Sequence, residues 1–332
     1  MKMTKSGDKT AGSIVRGALL GVVMLAPAWA APAHAQQDYP QKLIRIIVPY
    51  GAGGPTDLYS RVIAENMSRR FGKPVIVDNR PGALAAIGHE AIARAEPDGY
   101  TFGLISSSLT VLPATTKSFT LSVRDFTPIT QLIYADYSVL VSPTVPAKNM
   151  REFFDYVKAN PEKVNFGSGG GGIELAIAAL AARGGVTFTV VPYKGAAAAR
   201  VALLGNQVQV VLESVGVAKD LSSTNKATFL AVTGPRRNPA APSMPTVSES
   251  GYAGYEAGYW FGYGGPVGMP REVVGKLYEA ISAALQSPEL RKQIADAGNE
   301  PIGSTPEQFA RLMANDAQYW ANVAKSVGVT PQ

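Results

Sequence analysis

The residues in this sequence that could do chemistry are glycines, hydroxyls and one lysine, gathered where apolar runs end. Gly51-Ala52-Gly53-Gly54-Pro55-Thr56-Asp57 follows the β-branched run from Leu43 to Val48 and precedes an amphipathic stretch. Glycine there lets backbone N–H groups approach a ligand with no Cβ in the way. The start of the following helix adds unpaired donors and a partial positive charge, which suit a carboxylate or a phosphate. Thr56 or Asp57 can cap that helix, and Asp57 reads as a cap because its charge would repel an anion. A second run, Gly167-Ser168-Gly169-Gly170-Gly171-Gly172, spends backbone entropy on consecutive glycines. It is either an anion cradle or a hinge, and Ser168 brings a hydroxyl. Tyr193-Lys194-Gly195 is the third stretch, Lys194 being either a charge for an anion or a solvated surface group. At ~1.5–3 kcal/mol per charge-assisted bond, a few amides plus one cation suffice for micromolar binding, about −8 kcal/mol.

Reaction machinery is missing from the same sequence. It contains two His and no Cys. His89 precedes Glu90 without a second His four residues on, so the helical zinc motif is absent, and His89 reads as a helix-surface or packing residue. A metal site would need clustered carboxylates, and none cluster. There is no G-x-S-x-G elbow and no G-x-x-x-x-G-K-[ST] loop, and the dinucleotide fingerprint fails where Thr56 replaces the third glycine. The expectation is binding without catalysis: no enzyme, no cofactor, no metal.

The elements that must position these loops alternate. Leu43–Val48, Val75–Val77 and Tyr100–Ile105 read as strands, and Leu58–Phe71 and Ala83–Ala95 as helices between them. The face of the first helix is Leu58, Val62, Ile63, Met67 and Phe71. Gly72 and Pro74 end it. The second half repeats the alternation, with strands near Val164–Phe166, Val186–Val191, Val208–Leu212 and Thr228–Thr233, and helices from Ile173 and after Gly195. Helices at Arg271–Gln286, Pro288–Gly298 and Pro306–Val327 close the chain. The predicted fold class is α/β, with mostly parallel sheets flanked by helices in two domains. Val48-Pro49-Tyr50-Gly51 and Val191-Pro192-Tyr193-Lys194-Gly195 echo each other after strands, either as facing domains with a site between them would or as Pro/Gly turns alike by chance.

Residues 1–35 stand apart. Lys2, Lys5, Lys9 and Arg16 precede an apolar run from Gly17 to Ala30 interrupted by Pro27, and Ala33-His34-Ala35 supplies small residues for cleavage. This predicts a signal peptide cleaved near Ala35 and export to the periplasm, because the run falls short of the roughly 20 apolar residues that span a bilayer. The formal charge of +6 is partly carried by that segment. The remaining basic residues are scattered rather than striped, which argues against a nucleic-acid partner.

The chain resembles the Bug-type substrate-binding receptors of tripartite tricarboxylate transporters from about Tyr39 to Val327. The resemblance rests on Val48–Asp57, Val77-Asp78-Asn79-Arg80-Pro81-Gly82-Ala83, Pro97–Thr101, Gly167–Gly172 and Val191–Gly195. It continues through Leu230–Thr233, Pro245–Glu249, Trp260-Phe261-Gly262, Pro266–Pro270 and Gly303–Glu307. It implies a Venus-flytrap fold, domain 1 taking residues 36–138 with 258–332 and domain 2 residues 139–257. It also implies a small carboxylate, a dicarboxylate or an aromatic acid, held in the cleft and delivered by a monomer to membrane permease subunits. The ligand-binding set implied is Tyr50, Gly51, Ala52, Gly53, Gly54, Thr56, Ser106, Ser107, Ser168, Gly169, Gly170, Gly172, Tyr193, Lys194, Gly195, Glu213 and Ser214, with Tyr137, Trp260 and Phe261 as walls. The chain departs from the family at Leu84-Ala85-Ala86, where more glycine is common. It departs again at Glu174, where His is frequent, and at Glu213-Ser214, where Asp-Asn is frequent. Glu174 either tunes the far end of the ligand or faces solvent. Two other readings stay open: a sensory binding protein for a signalling kinase, and an α/β enzyme using a nucleotide.

Overall fold

The computed structural model describes residues 39–170 and 172–331, so the expected signal peptide lies outside the described residues. From β1 (Ile44–Val48) the chain runs through α1 (Pro55–Phe71) to β2 (Val75–Asn79), then through α2 (Ala86–Ala93) to β3 (Thr101–Ser106). These three strands pair in parallel, with β1 central and buried at four of its five residues, as a strand covered on both faces must be. The short α3 (Ser108–Val111) leads to the long β4 (Phe126–Val141). Next come α4 (Met150–Ala159), β5 (Asn165–Ser168), α5 (Ile173–Gly184), β6 (Thr189–Pro192) and α6 (Ala196–Leu204). After β7 (Val210–Ser214), α7 (Val215–Ser223) and β8 (Thr228–Val232) the chain returns along β9 (Gly258–Pro266). It ends in α8 (Arg271–Leu285), α9 (Pro288–Asp296), β10 (Glu300–Pro301) and α10 (Pro306–Ser326).

Two sheets result, and β4 belongs to both. Its first part, Phe126–Asp136, pairs antiparallel with β9, which completes the order β2-β1-β3-β9-β4. From Tyr137 onward β4 pairs with β7 and, on its other edge, with β8, opening the second sheet β4-β7-β5-β6. Each sheet has apolar clusters on both faces. In the first, Ile63, Met67, Leu277 and Ile281 of α1 and α8 cover one face, while Ile92, Leu109, Phe309 and Met313 cover the other. In the second, Phe153, Phe154, Leu175 and Leu180 of α4 and α5 cover one face, and Ala202, Leu203 and Ala218 of α6 and α7 cover the other. Helix α10 spans both cores, contributing Phe309 and Met313 to one and Trp320 and Ala324 to the other.

The sequence pattern predicts neither β4, β9 nor α4. The first part of β4 carries Pro128 and two register shifts that break its alternation. Strand β9 is interrupted by Gly262 and Gly264, which read as loop. The structure needs both glycines, since a Cβ at Gly262 would run into Phe309 and one at Gly264 would lie 2.8 Å from Ile105. Two further expectations are corrected. Leu58 is 45 % exposed, and Tyr59 takes its place on the buried face of α1. Helix α2 begins at Ala86 rather than Ala83, because Ala83, Leu84 and Ala85 hold φ of 47°, 54° and 76°. Left-handed backbone costs an L-residue roughly 1–2 kcal/mol, so three in succession store strain beside the first sheet.

The passage between sheets is held by polar groups. Thr233 Oγ1 accepts the Tyr137 N–H at 2.8 Å and donates to the Ala257 carbonyl at 2.6 Å, tying β4 to the segment entering β9. Asp136, one residue earlier and buried, accepts from Asn238 Nδ2 at 3.1 Å, and Gly234 leaves room for its carboxylate. Burial pushes the Asp136 carboxyl up to about 6, although Asn238 and Arg236 oppose the shift. A carboxyl that titrates higher folded than unfolded favours the folded chain at low pH, and that contribution is lost as pH rises from about 4 to about 6. Asp136→Asn is therefore expected to raise stability at pH 7.5 by up to about 3 kcal/mol and to leave it unchanged near pH 4. Calorimetric melting across that range checks it; a pH-independent difference would contradict the assignment.

Candidate functional site

The C-terminal ends of β1 and β3 carry Tyr50 and the serines 106–108 to one place. Tyr50 Oη donates to Ser106 Oγ at 3.0 Å, and Ser106 Oγ shares a 2.8 Å hydrogen bond with Ser108 Oγ. Burial pushes the Tyr50 phenol up to about 12, so it stays a protonated donor. Aromatic contacts continue the wall, edge-to-face from Tyr50 to Phe261 at 5.5 Å and Phe261 to Tyr259 at 5.6 Å, and tilted from Tyr259 to Tyr137 at 5.2 Å. Burial also holds the Tyr137 and Tyr259 phenols far above their ordinary range. Neither hydroxyl bonds to another described residue.

Two hollows open on this wall. One, of ≈ 530 Å³, lies between Pro81–Ala85, Ser106–Ser108 and the aromatic rings on one side and Gly169, Gly170, Ala196 and Glu213 on the other. The second, of ≈ 690 Å³, extends past Thr56 and Tyr59 towards Gly216–Asp220 and Ala295–Asn299. Tyr50, Gly51, Ser214, Tyr259 and Phe261 line both, so the two form one cleft between the sheets.

The start of α1 is where the cleft can hold an anion. Gly54 is the N-cap with no side-chain bond, and Pro55 follows it. The N–H groups of Asp57 and Leu58 both reach the Gly54 carbonyl at 3.0 Å, whereas those of Gly51, Gly54 and Thr56 have no partner among the described residues. Asp57 behaves as the sequence predicts. Its carboxylate is 1 % exposed and accepts from the Gly53 N–H at 2.8 Å, Asn79 Nδ2 at 3.0 Å and Arg61 Nε at 3.0 Å. Burial raises this carboxyl's pKa, but the bonds from Arg61, Gly53 and Asn79 outweigh it and hold the group below the usual carboxylate range.

The expected residues divide cleanly by position. Tyr50, Gly51, Gly54, Thr56, Ser106, Ser107, Gly169, Gly170, Glu213 and Ser214 line the cleft. Ala52 and Gly53 are exposed and do not, and the Gly53 amide is committed to Asp57. Ser168 is fully buried behind the cleft; its hydroxyl donates to Glu174 and accepts from the Gly170 N–H. That bond settles the orientation of Glu174, which is exposed and caps its own loop. Gly172 serves as N-cap of α5 with φ 90°, where a Cβ would strike Val111. Tyr193 packs on the second sheet's core, Lys194 is exposed, and Gly195 caps α6, so Ala196 lines the cleft in their stead. Glu213 is buried with both oxygens engaged, by Arg200 Nη1 at 3.1 Å and the Ser214 N–H at 2.8 Å.

Of the expected walls, Tyr137 and Phe261 stand in the cleft and Trp260 does not. Strand alternation turns Tyr259 and Phe261 to the cleft and Trp260 to the opposite face, where its Nε1 donates to Asp316 at 2.8 Å. Sequence reasoning missed Tyr259, although the period of two was available to find it. It also missed Asp316, which additionally accepts from Thr110 Oγ1 at 2.6 Å and so braces the serine turn and β9 together. His89 is buried against Phe126, a packing residue whose ring burial pushes down to about 3.

Two α/β lobes joined through shared strands, with a cleft at their seam, define the class of a periplasmic binding protein. The family model described as "Tripartite tricarboxylate transporter family receptor" matches residues 59–329, and the chain belongs to that family. It is 34 % identical over 303 residues to the "UPF0065 protein in gbd 5'region" of Cupriavidus necator, covering 90 % of this chain and 92 % of that one. Among solved structures it matches periplasmic binding protein BugD with a TM-score of 0.75 at 33 % identity, covering 89 % of this chain and all of the other. An R. palustris protein solved with adipate matches with a TM-score of 0.77 at 28 % identity, again over 89 % of this chain and all of the other.

Asp57 anchors the loop that would meet the anion, and its loss takes the shared acceptor from the exposed Gly53 N–H and Arg61 and from the half-buried Asn79 amide. Asp57→Ala is expected to cost about 1–3 kcal/mol of stability, read from denaturant midpoints. Asp57→Asn, which keeps acceptance on one side only, should fall between that variant and the parent.

Proposed function

We propose that the protein is an exported receptor that captures a small carboxylate between its two lobes and presents it to the permease of a tripartite transporter. One observation carries the reading: the N–H groups of Gly51, Gly54 and Thr56 at the start of α1 have no partner among the described residues, and all three residues line the cleft. A carboxylate there receives several N–H bonds and the positive end of the helix without needing a cation. The adipate bound by the R. palustris relative supports a carboxylate over other anions. Solute contacts made by both lobes exist only when the lobes approach each other, so binding shifts the protein towards a closed form for the permease to recognise. Capture without chemical change fits a wall of phenols, serines and amides. The expected cleavage near Ala35 and release into the periplasm complete this reading.

The test is a melting assay on the exported, purified protein, unfolded and refolded once to strip carried-over solute. Linear, branched and aromatic carboxylates are compared with their matched primary amides and with nucleotides. A cognate carboxylate at 100 times its Kd stabilises by about 2.7 kcal/mol, a rise of roughly 5 °C, and its amide should give less than about 1 °C. Equal shifts from acid and amide, or a shift with nucleotides alone, would overturn the proposal.

A further inference from the structure

The smaller hollow mixes serines and glycines with a large apolar and aromatic share. Beyond Gly51 and Ser106–Ser108, its wall is Pro81, Leu84 and Ala85 on one lobe, Gly169, Gly170, Ile173, Ala196, Leu212 and Ser214 on the other, and the rings of Tyr137, Tyr259 and Phe261 at the base. The single charged side chain on that wall is Glu213, whose oxygens are already taken by Arg200 and the Ser214 N–H. No lysine or arginine lines it, and the first turn of α5 carries Glu174, which offsets that helix's positive end. A second carboxylate would therefore find no cationic side chain in this hollow to offset the water it sheds.

The rim shows where this apolar character is enforced. Ala83, Leu84 and Ala85 are three successive left-handed residues, a conformation glycine adopts freely and L-residues resist. The strained turn leaves the Leu84 side chain 53 % exposed at the mouth of the hollow, across from Ile173 and Ala196. An exposed leucine on strained backbone contributes little to the fold, and its remaining surface is available to cover a solute. We infer that the solute carries one carboxylate and an apolar, ring-shaped body, and that Leu84 is the side chain that selects it. The chain of aromatic contacts at the base offers the ring a partner, and the free phenols of Tyr137 and Tyr259 offer a hydrogen bond to a ring substituent. This inference rests on the carboxylate reading above and narrows it.

Titration calorimetry on the refolded protein with benzoate, cyclohexanecarboxylate, succinate and adipate tests it. The ring acids should bind at least tenfold more tightly than succinate or adipate. Leu84→Gly should weaken benzoate about tenfold, the worth of burying about half a leucine side chain, while changing succinate less than about twofold. The same variant should melt no lower than the parent, and up to about 3 °C higher, because glycine relieves the turn. Leu84→Asn, which tolerates the left-handed backbone but is polar, should repeat the loss of benzoate. Adipate or succinate binding as tightly as benzoate, or both variants leaving the benzoate-to-succinate ratio unchanged, would overturn the inference and leave the carboxylate reading standing. Binding of none of these acids would remove both.

Discussion

The pairing of Phe126–Asp136 with Gly258–Pro266 is the constraint on which the rest of the molecule depends. These two antiparallel strands sit inside the first sheet, and β4 runs on past Asp136 to become part of the second. Each crossing places an aromatic residue at the seam, Tyr137 on one strand and Tyr259 on the other, with Phe261 beyond. The same backbone that joins the lobes thus supplies the base of the cleft. Thr233 and Asp136 secure the crossing with polar bonds, where a purely apolar junction would leave strand N–H and C=O groups unpaired as the sheet changes partners.

The site follows from how backbone donors are shared out around that seam. Asp57 takes one amide of the first glycine loop and fixes the loop's path, which leaves the neighbouring amides free without leaving the loop slack. Asp316 does the equivalent from behind, bonding to Thr110 and Trp260 so that the serine turn and β9 keep their spacing. Both acids lie outside the cleft lining and act through what they hold. A binding site assembled from main-chain donors needs such side chains, because each N–H points only as well as its turn is defined.

Much of the architecture was legible in one dimension. The β-branched runs and amphipathic stretches of the first hundred residues become β1 to β3 with α1 and α2 between them, since a parallel sheet buried on both faces demands that pattern. The glycine loop at 51–54 was legible for the same local reason, being a strand-to-helix turn with the helix start behind it. Trp260 illustrates where reading failed: aromatic type alone marked it as a wall, whereas its place between Tyr259 and Phe261 on a strand turns it away. The serine at 168 failed differently. Its hydroxyl looked available in sequence and is engaged by Glu174 six residues later.

The sequence by itself determined that this chain alternates strands and helices, that it carries glycine-rich strand-to-helix turns, and that it has no H-E-x-x-H, G-x-S-x-G or G-x-x-x-x-G-K-[ST] motif. Those properties are local: they depend on side-chain type and spacing within a turn or two. Only the tertiary structure decided which turns meet. Tyr50 reaches the cleft while its echo Tyr193 packs into a core. Leu84 stands on a rim instead of in a helix. Glycine-interrupted segments that look like loops carry the connection between lobes. Those outcomes depend on which donors, rings and backbone segments lie a hundred residues away in the chain and a few ångströms away in space.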